Sequence, residues 1–116
     1  MSSTRFLDRL QSGKVLVLDG ATGTNLQRRG LPPGTPSDFW VLDNPDAVLA
    51  LYRDFVAAGS DIILTNTFGS SRLHLGHAGL ADRFESSNRK AVELAFQAVA
   101  GTDTLVGGSM GPLGEM

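Results

Sequence analysis

The sequence predicts an α/β fold with parallel strands. Short apolar runs rich in β-branched residues recur at Lys14–Leu18, Ile62–Leu64 and Thr104–Gly108. Segments with helical periodicity separate them. The runs begin near residues 14, 61 and 104, and each interval leaves room for a crossover helix. Strands joined in this way run parallel, through right-handed connections.

Taken in order, Lys14–Leu18 is apolar throughout, as a strand covered on both faces would be, and ends at the turn signal Asp19-Gly20. Thr22–Arg29 predicts a short helix closed by Gly30 in the left-handed region. Leu31–Pro36 holds three prolines and is expected to be a loop. The clearest helix follows. Asn44 suits the N-cap, Pro45 the first helical position, and Asp46 the positive end of the dipole. Val48, Leu51, Tyr52, Phe55 and Val56 form its apolar stripe, and Gly59 ends it. The second strand, Ile62–Leu64, closes at Thr65-Asn66-Thr67. Ser70–Gly79 reads as a loop with at most a helical turn. Asp82–Ala100 reads as a second long helix, with Phe84, Asn88, Ala91, Ala95, Ala98 and Val99 on one side and Gly101 as its stop. Thr104–Gly108 is the third strand, and Ser109–Glu115 is the loop after it.

The chain has 116 residues, the size of one ordinary domain. Hydrophobic residues make up 41% and charged residues 19%, which argues against disorder. A formal net charge of −2 provides no basic excess to neutralise phosphates, so nucleic acid is excluded as a partner class. Without cysteine the chain can form neither a disulfide nor a thiolate metal site. The first fourteen residues lack a signal-peptide apolar run, and the longest apolar stretches fall far short of the roughly 20 residues that span a bilayer. The expectation is a soluble cytoplasmic protein with no membrane partner.

A three-stranded parallel sheet has two bare edges and too few helices here to cover both faces. Closing such a sheet into a (β/α)8 TIM barrel takes eight strands and about 250 residues. Residues 1–116 therefore read as an incomplete, N-terminal part of such a barrel: its first three parallel strands with their helices.

In parallel α/β folds the loops after the strands share one rim, where ligands bind. Three polar loops hold that position: Asp19-Gly-Ala-Thr-Gly-Thr24, Thr65-Asn-Thr-Phe-Gly69 and Ser109-Met-Gly-Pro-Leu-Gly-Glu115. Asp19, beside Gly20, can pair with a ligand ammonium, or it can cap the helix near Thr22 and order its own turn. Asn66 can bind a carboxylate or amide, or serve as a strand-end turn residue. Gly111, Pro112 and Gly114 either expose backbone N–H groups to an anion or form a tight turn. Glu115 is a candidate ligand residue near the end of the sequence. His74 and His77 lie three apart with no third ligand near them, which fits surface residues better than a metal pair. Phe39 and Trp40 read as a hydrophobic anchor for the proline loop, or as one wall of a pocket.

Three stretches carry a family resemblance. Asp19-Gly-Ala-Thr-Gly-Thr-Asn25, Ala58-Gly-Ser-Asp-Ile-Ile-Leu-Thr-Asn-Thr-Phe-Gly69 and Gly108-Ser-Met-Gly-Pro-Leu-Gly-Glu115, in this order and spacing, resemble the homocysteine S-methyltransferases. That family includes betaine–homocysteine methyltransferases and the homocysteine-binding barrel of cobalamin-dependent methionine synthase. The likeness covers residues 14 to 115. It implies a (β/α)8 barrel that transfers a methyl group to the thiol of homocysteine, giving methionine. It also implies a substrate pocket containing Asp19, Gly20, Asn66, Thr67, Ser109, Gly111 and Glu115, with Asp19 on the amino group.

In the full-length family a zinc ion, held by three cysteines of late strands, presents the substrate sulfur as thiolate. The chain departs from the family there, since it contains no cysteine. The resemblance thus implies partners, homocysteine and a methyl donor, but no catalytic or metal-binding residue within these 116 positions. Betaine, methylmethionine, adenosylmethionine and a cobalamin or folate system are all donors it allows. On this reading the chain alone is catalytically silent.

Two other readings stand beside it. Asp19-Gly-Ala-Thr-Gly-Thr24 faintly resembles phosphate-gripping loops of phosphoryl-transfer enzymes, but no lysine follows the last glycine as in a Walker loop. A non-catalytic assembly piece, completing its barrel by self-association or with a second chain, is the other.

Overall fold

The computed structural model describes residues 4–113. Its helices are α1 (Thr4–Gln11), α2 (Gly23–Arg28), α3 (Trp40–Asp43), α4 (Pro45–Ala57), α5 (Arg72–His77) and α6 (Phe84–Val99). Its strands are β1 (Ile62–Leu64) and β2 (Leu105–Gly107). The strands pair in parallel, Ile62 opposite Leu105, Ile63 opposite Val106 and Leu64 opposite Gly107. α6 makes the crossover between them, as the alternation of strand and helix requires.

Side-chain alternation divides the sheet into two faces. Ile63 is fully buried and, with Val106, meets α4 and α6. These helices bring Val48, Leu51, Tyr52, Ala91, Leu94 and Ala95 into the core. Ile62, Leu64 and Leu105 lie on the opposite face. With Leu18 and Phe6 they line an apolar groove of about 320 Å³. Among the described residues, no helix is long and apolar enough to cross a membrane.

The expected first strand differs. Residues 14–18 run parallel to β1 but form only a single bridge, Leu18 to Ile62. The Val17 carbonyl accepts from Asp61 N at 2.8 Å and Ile62 N at 3.3 Å, and Asp19 N donates to the Ile62 carbonyl at 3.0 Å. The Val17 N–H, however, is taken by the Asp61 carboxylate at 2.9 Å rather than by a backbone carbonyl. Among the described residues no strand lies on the other side, so Val15, Val17 and Leu18 are 81%, 57% and 51% exposed. The segment keeps the path of a parallel strand without a continued ladder. The observed sheet is two-stranded.

Asn44 stands at the N-cap of α4 with Pro45 in its first turn, as expected, but its side chain makes no capping hydrogen bond. The Asn44 N–H instead closes α3 on the Trp40 carbonyl at 2.9 Å, so one residue both ends α3 and begins α4. Gly30 is left-handed as expected, at φ +110°. The proline segment is irregular, and a 3-10 turn over Ser37–Phe39 links it to α3. Trp40 packs on the core, in agreement with the anchor reading. The sequence reading assigned no element to α1 or α3. α5 is longer than the single turn expected, and its Ser71 cap accepts from His74 N at 3.1 Å.

Candidate functional site

All three polar turns lie at one end of the molecule, beyond the C-terminal ends of the parallel segments, because each leaves its segment in the same direction. Side-chain hydrogen bonds then join them. The Asp19 carboxylate accepts the Leu64 N–H at 3.1 Å, tying the first turn to the end of β1. Among the described residues α2 has no side-chain cap, so Asp19 does not serve that helix. Its pKa is raised, chiefly by burial, against the opposing pull of the Leu64 N–H and its own N–H. Gly20 lies against Phe55, whose ring carbon would stand 3.3 Å from any added Cβ.

The second and third turns are spliced to each other. The Thr67 hydroxyl donates to the Ser109 carbonyl at 2.7 Å, and Ser109 N donates to the Thr65 hydroxyl at 3.2 Å. The two hydroxyls are themselves 2.8 Å apart. Gly111 N donates to the Phe68 carbonyl at 3.2 Å. A Cβ at Gly111 would come within 2.5 Å of that carbonyl and 2.9 Å of the ring, so glycine is required by close approach. A cavity of about 270 Å³ opens beside this junction, lined by Thr67, Phe68, Ser109, Met110 and Gly111 among others. Glu115 and Gly114 lie outside the described residues.

Asn66 is 5% exposed, and its carboxamide is engaged by the chain itself. Its Nδ2 donates to the Ser37 carbonyl at 2.9 Å, and its Oδ1 accepts from the Ser37 hydroxyl at 3.2 Å. Its backbone N–H donates to the Tyr52 hydroxyl at 2.6 Å. Burial pushes the Tyr52 phenol far above its ordinary range, and the nearby charges of Asp19 and Asp38 add to the effect.

The sequence alone does not mark Asp38 and Ser37, and it marks Tyr52 only as part of an apolar stripe. For Tyr52 a signal existed: a tyrosine on an apolar stripe needs a partner for its hydroxyl. Asp38 offered none, because its partner, Gly69, lies 31 residues away. His74 Nδ1 meets the Ser71 hydroxyl at 2.9 Å. Among the described residues, no group of three or more His, Cys, Asp or Glu could hold a metal ion.

Comparison with known proteins sharpens the picture. A profile described as homocysteine S-methyltransferase matches residues 16–116. The chain is similar to S-methylmethionine–homocysteine S-methyltransferase BHMT2 of Pongo abelii, with 33% identity over 90% of this chain and 28% of the relative. It is 34% identical to betaine–homocysteine S-methyltransferase 1 of Bos taurus, over 90% of this chain and 27% of the relative. Methionine synthase of Mycobacterium tuberculosis is 37% identical over 79% of this chain and 8% of its own. Among solved structures, the homocysteine methyltransferase MmuM from Escherichia coli in its metallated form superposes with a TM-score of 0.77. That match has 28% identity and covers 91% of this chain and 41% of that one. The chain thus spans less than a third of these curated relatives and under half of the solved structure.

Proposed function

Because the chain belongs to the homocysteine S-methyltransferase family, we propose that it forms the amino-acid end of a pocket in which the homocysteine thiol is methylated to methionine. On this reading residues 1–116 are the first three strands of a (β/α)8 barrel, and residues 14–18 are the first of them. One observation carries it. Asp19 has one carboxylate oxygen committed to Leu64 N, at the rim end of the sheet and next to a residue without a side chain. The other oxygen is then left to accept a substrate ammonium, the strongest kind of partner such a group can find.

The bonds among Thr67, Ser109 and Gly111 hold the second and third turns in place, and the Ser109 hydroxyl is left for the rest of the amino acid. Asn66 contributes by holding its turn to Ser37. Glu115 belongs to the same loop. Relatives named for two donors, betaine and S-methylmethionine, each match 90% of this chain. These residues therefore read the methyl acceptor, and donor choice falls to other parts of such proteins.

Full-length members of the family use zinc to present the sulfur as thiolate. The donor set here does not fit that ion, with no cysteine in the sequence and no convergent ligand group among the described residues. What these residues do is bind and orient; sulfur activation is not assigned to them. Their apolar groove and exposed first segment work against further polypeptide, from the same or a second chain.

Calorimetric titration of the 116-residue chain with homocysteine tests the reading. Replacing Asp19 by Asn should weaken binding by about tenfold or more, the weight of a charge-assisted hydrogen bond. Affinity should also fall as pH drops through the Asp19 pKa, which lies above its ordinary 3.8, because the protonated carboxyl no longer pairs with an ammonium. Equal affinity in wild type and Asp19→Asn would refute the assignment. Methyl transfer should be absent from the chain alone.

A further inference from the structure

We propose that Asp38 is a positioning residue for the pocket: by holding the Gly69 N–H, its carboxylate sets the turn that carries Thr67 and Phe68. The claim about homocysteine rests on the function proposed above; the claim about the turn does not.

Asp38 sits on the 3-10 turn after the proline segment and is 7% exposed. Both of its oxygens face Gly69 N, at 3.2 and 3.3 Å. A Cβ on Gly69 would come within 2.6 Å of Oδ2, so the carboxylate occupies the space a side chain would need. Its neighbour Ser37 grips Asn66 through both ends of the carboxamide. Residues 37 and 38 therefore clasp the turn at Asn66 and at Gly69. Thr67 and Phe68 lie between, and these are the residues whose hydroxyl and carbonyl hold Ser109 and Gly111. A carboxylate on one strap thus sets two turns of the rim.

A buried carboxylate is a costly way to satisfy one N–H, since a neutral acceptor would do so without desolvating a charge. Burial raises the Asp38 pKa, opposed by the Gly69 N–H, its own N–H, the nearby Ser70 hydroxyl and the charge of His74 on α5. Tyr52 on α4 also lies near it. Ser70 Oγ is buried and makes no hydrogen bond of ordinary geometry, so its proximity is weak compensation. Because the folded pKa is raised, the ionised form favours the unfolded chain, and stability falls as pH rises from the ordinary 3.8 through the folded value. A purely structural residue would not be expected to carry that cost. A stiff, charge-assisted grip on the turn accounts for it.

The test is an NMR pH titration of the full chain, following the Gly69 and Gly111 amides. In wild type both should titrate with one shared midpoint above the ordinary 3.8. In His74→Gln that midpoint should rise. In Asp38→Asn the titration should vanish and both amides should shift, while α6 amides stay in place and the thermal midpoint equals or exceeds that of wild type. Homocysteine affinity should fall roughly tenfold. A Gly111 amide that does not follow Gly69 in wild type overturns the proposal, and that measurement needs no variant. If homocysteine fails to bind wild type, the function proposed above is lost, while the two amides still decide whether Asp38 sets the turn.

Discussion

Gly111 is a residue whose identity is dictated by a neighbour far away in sequence. The Phe68 carbonyl and ring leave no volume for a methyl group. Gly111→Ala should cost about 1–3 kcal/mol, the usual penalty of overpacking, read as a lower urea midpoint with unchanged m-value. It should also weaken homocysteine binding, because the Phe68–Gly111 bond must open. At this scale the sequence was informative where chemistry is local. Asp19 beside Gly20, and Asn66 just past an apolar run, are marked by position, whereas Thr67 and Ser109 enter as site residues through the family resemblance. Asp38 and Tyr52 are not so marked, because each acquires its role from a partner, Gly69 or Asn66, that only the folded chain brings within reach.

The elements most legible in sequence were those with long periodic faces, α4 and α6. Their stripes reached the core largely as their spacing implied, with Val48, Leu51, Tyr52, Ala91 and Ala95 buried. On α6, Phe84 and Asn88 are only partly buried, and Ser87 and Leu94 take fuller places in the interior. Short elements were not legible. α1 and α3 have eight and four residues, lengths at which an isolated helix is marginal; α3 is held by packing on α4 and α6, while Phe6, Leu7 and Leu10 of α1 stay exposed. The apolar run at residues 14–18 matched a strand in composition, yet its Val17 N–H is taken by the Asp61 carboxylate and the ladder with β1 stops at one bridge. This yields a contrast between two similar side chains. Ile63→Ala should destabilise the chain by about 2–4 kcal/mol, since its side chain is wholly enclosed by α4 and α6. Val15→Ala, at 81% exposure, should change stability by less than about 0.5 kcal/mol. Urea denaturation of the two variants, followed by far-UV circular dichroism, checks both.

Across the whole molecule, apolar surface is distributed unevenly. One face of the sheet is closed by helices, while on the other Phe6 and Leu18, 41% and 51% exposed, line the apolar groove with Ile62, Leu64 and Leu105. Contiguous apolar surface of this kind binds reporter dyes and promotes association. The 116-residue chain should enhance anilinonaphthalene sulfonate fluorescence while its near-UV spectrum stays ordered. Val17→Thr combined with Leu18→Ser should reduce that signal without lowering helix content. The splice between the second and third turns has a consequence for how such a protein can vary. Thr67 and Ser109 are 42 positions apart yet are knotted by a bond of 2.7 Å, so neither turn can change length without unseating the other. A library of random one-residue insertions should be depleted at 66–69 and 108–111 and tolerated around 78–82, where the backbone turns without tying itself to another loop. Natural diversification of the pocket would then proceed by substitution at the knot and by lengthening elsewhere.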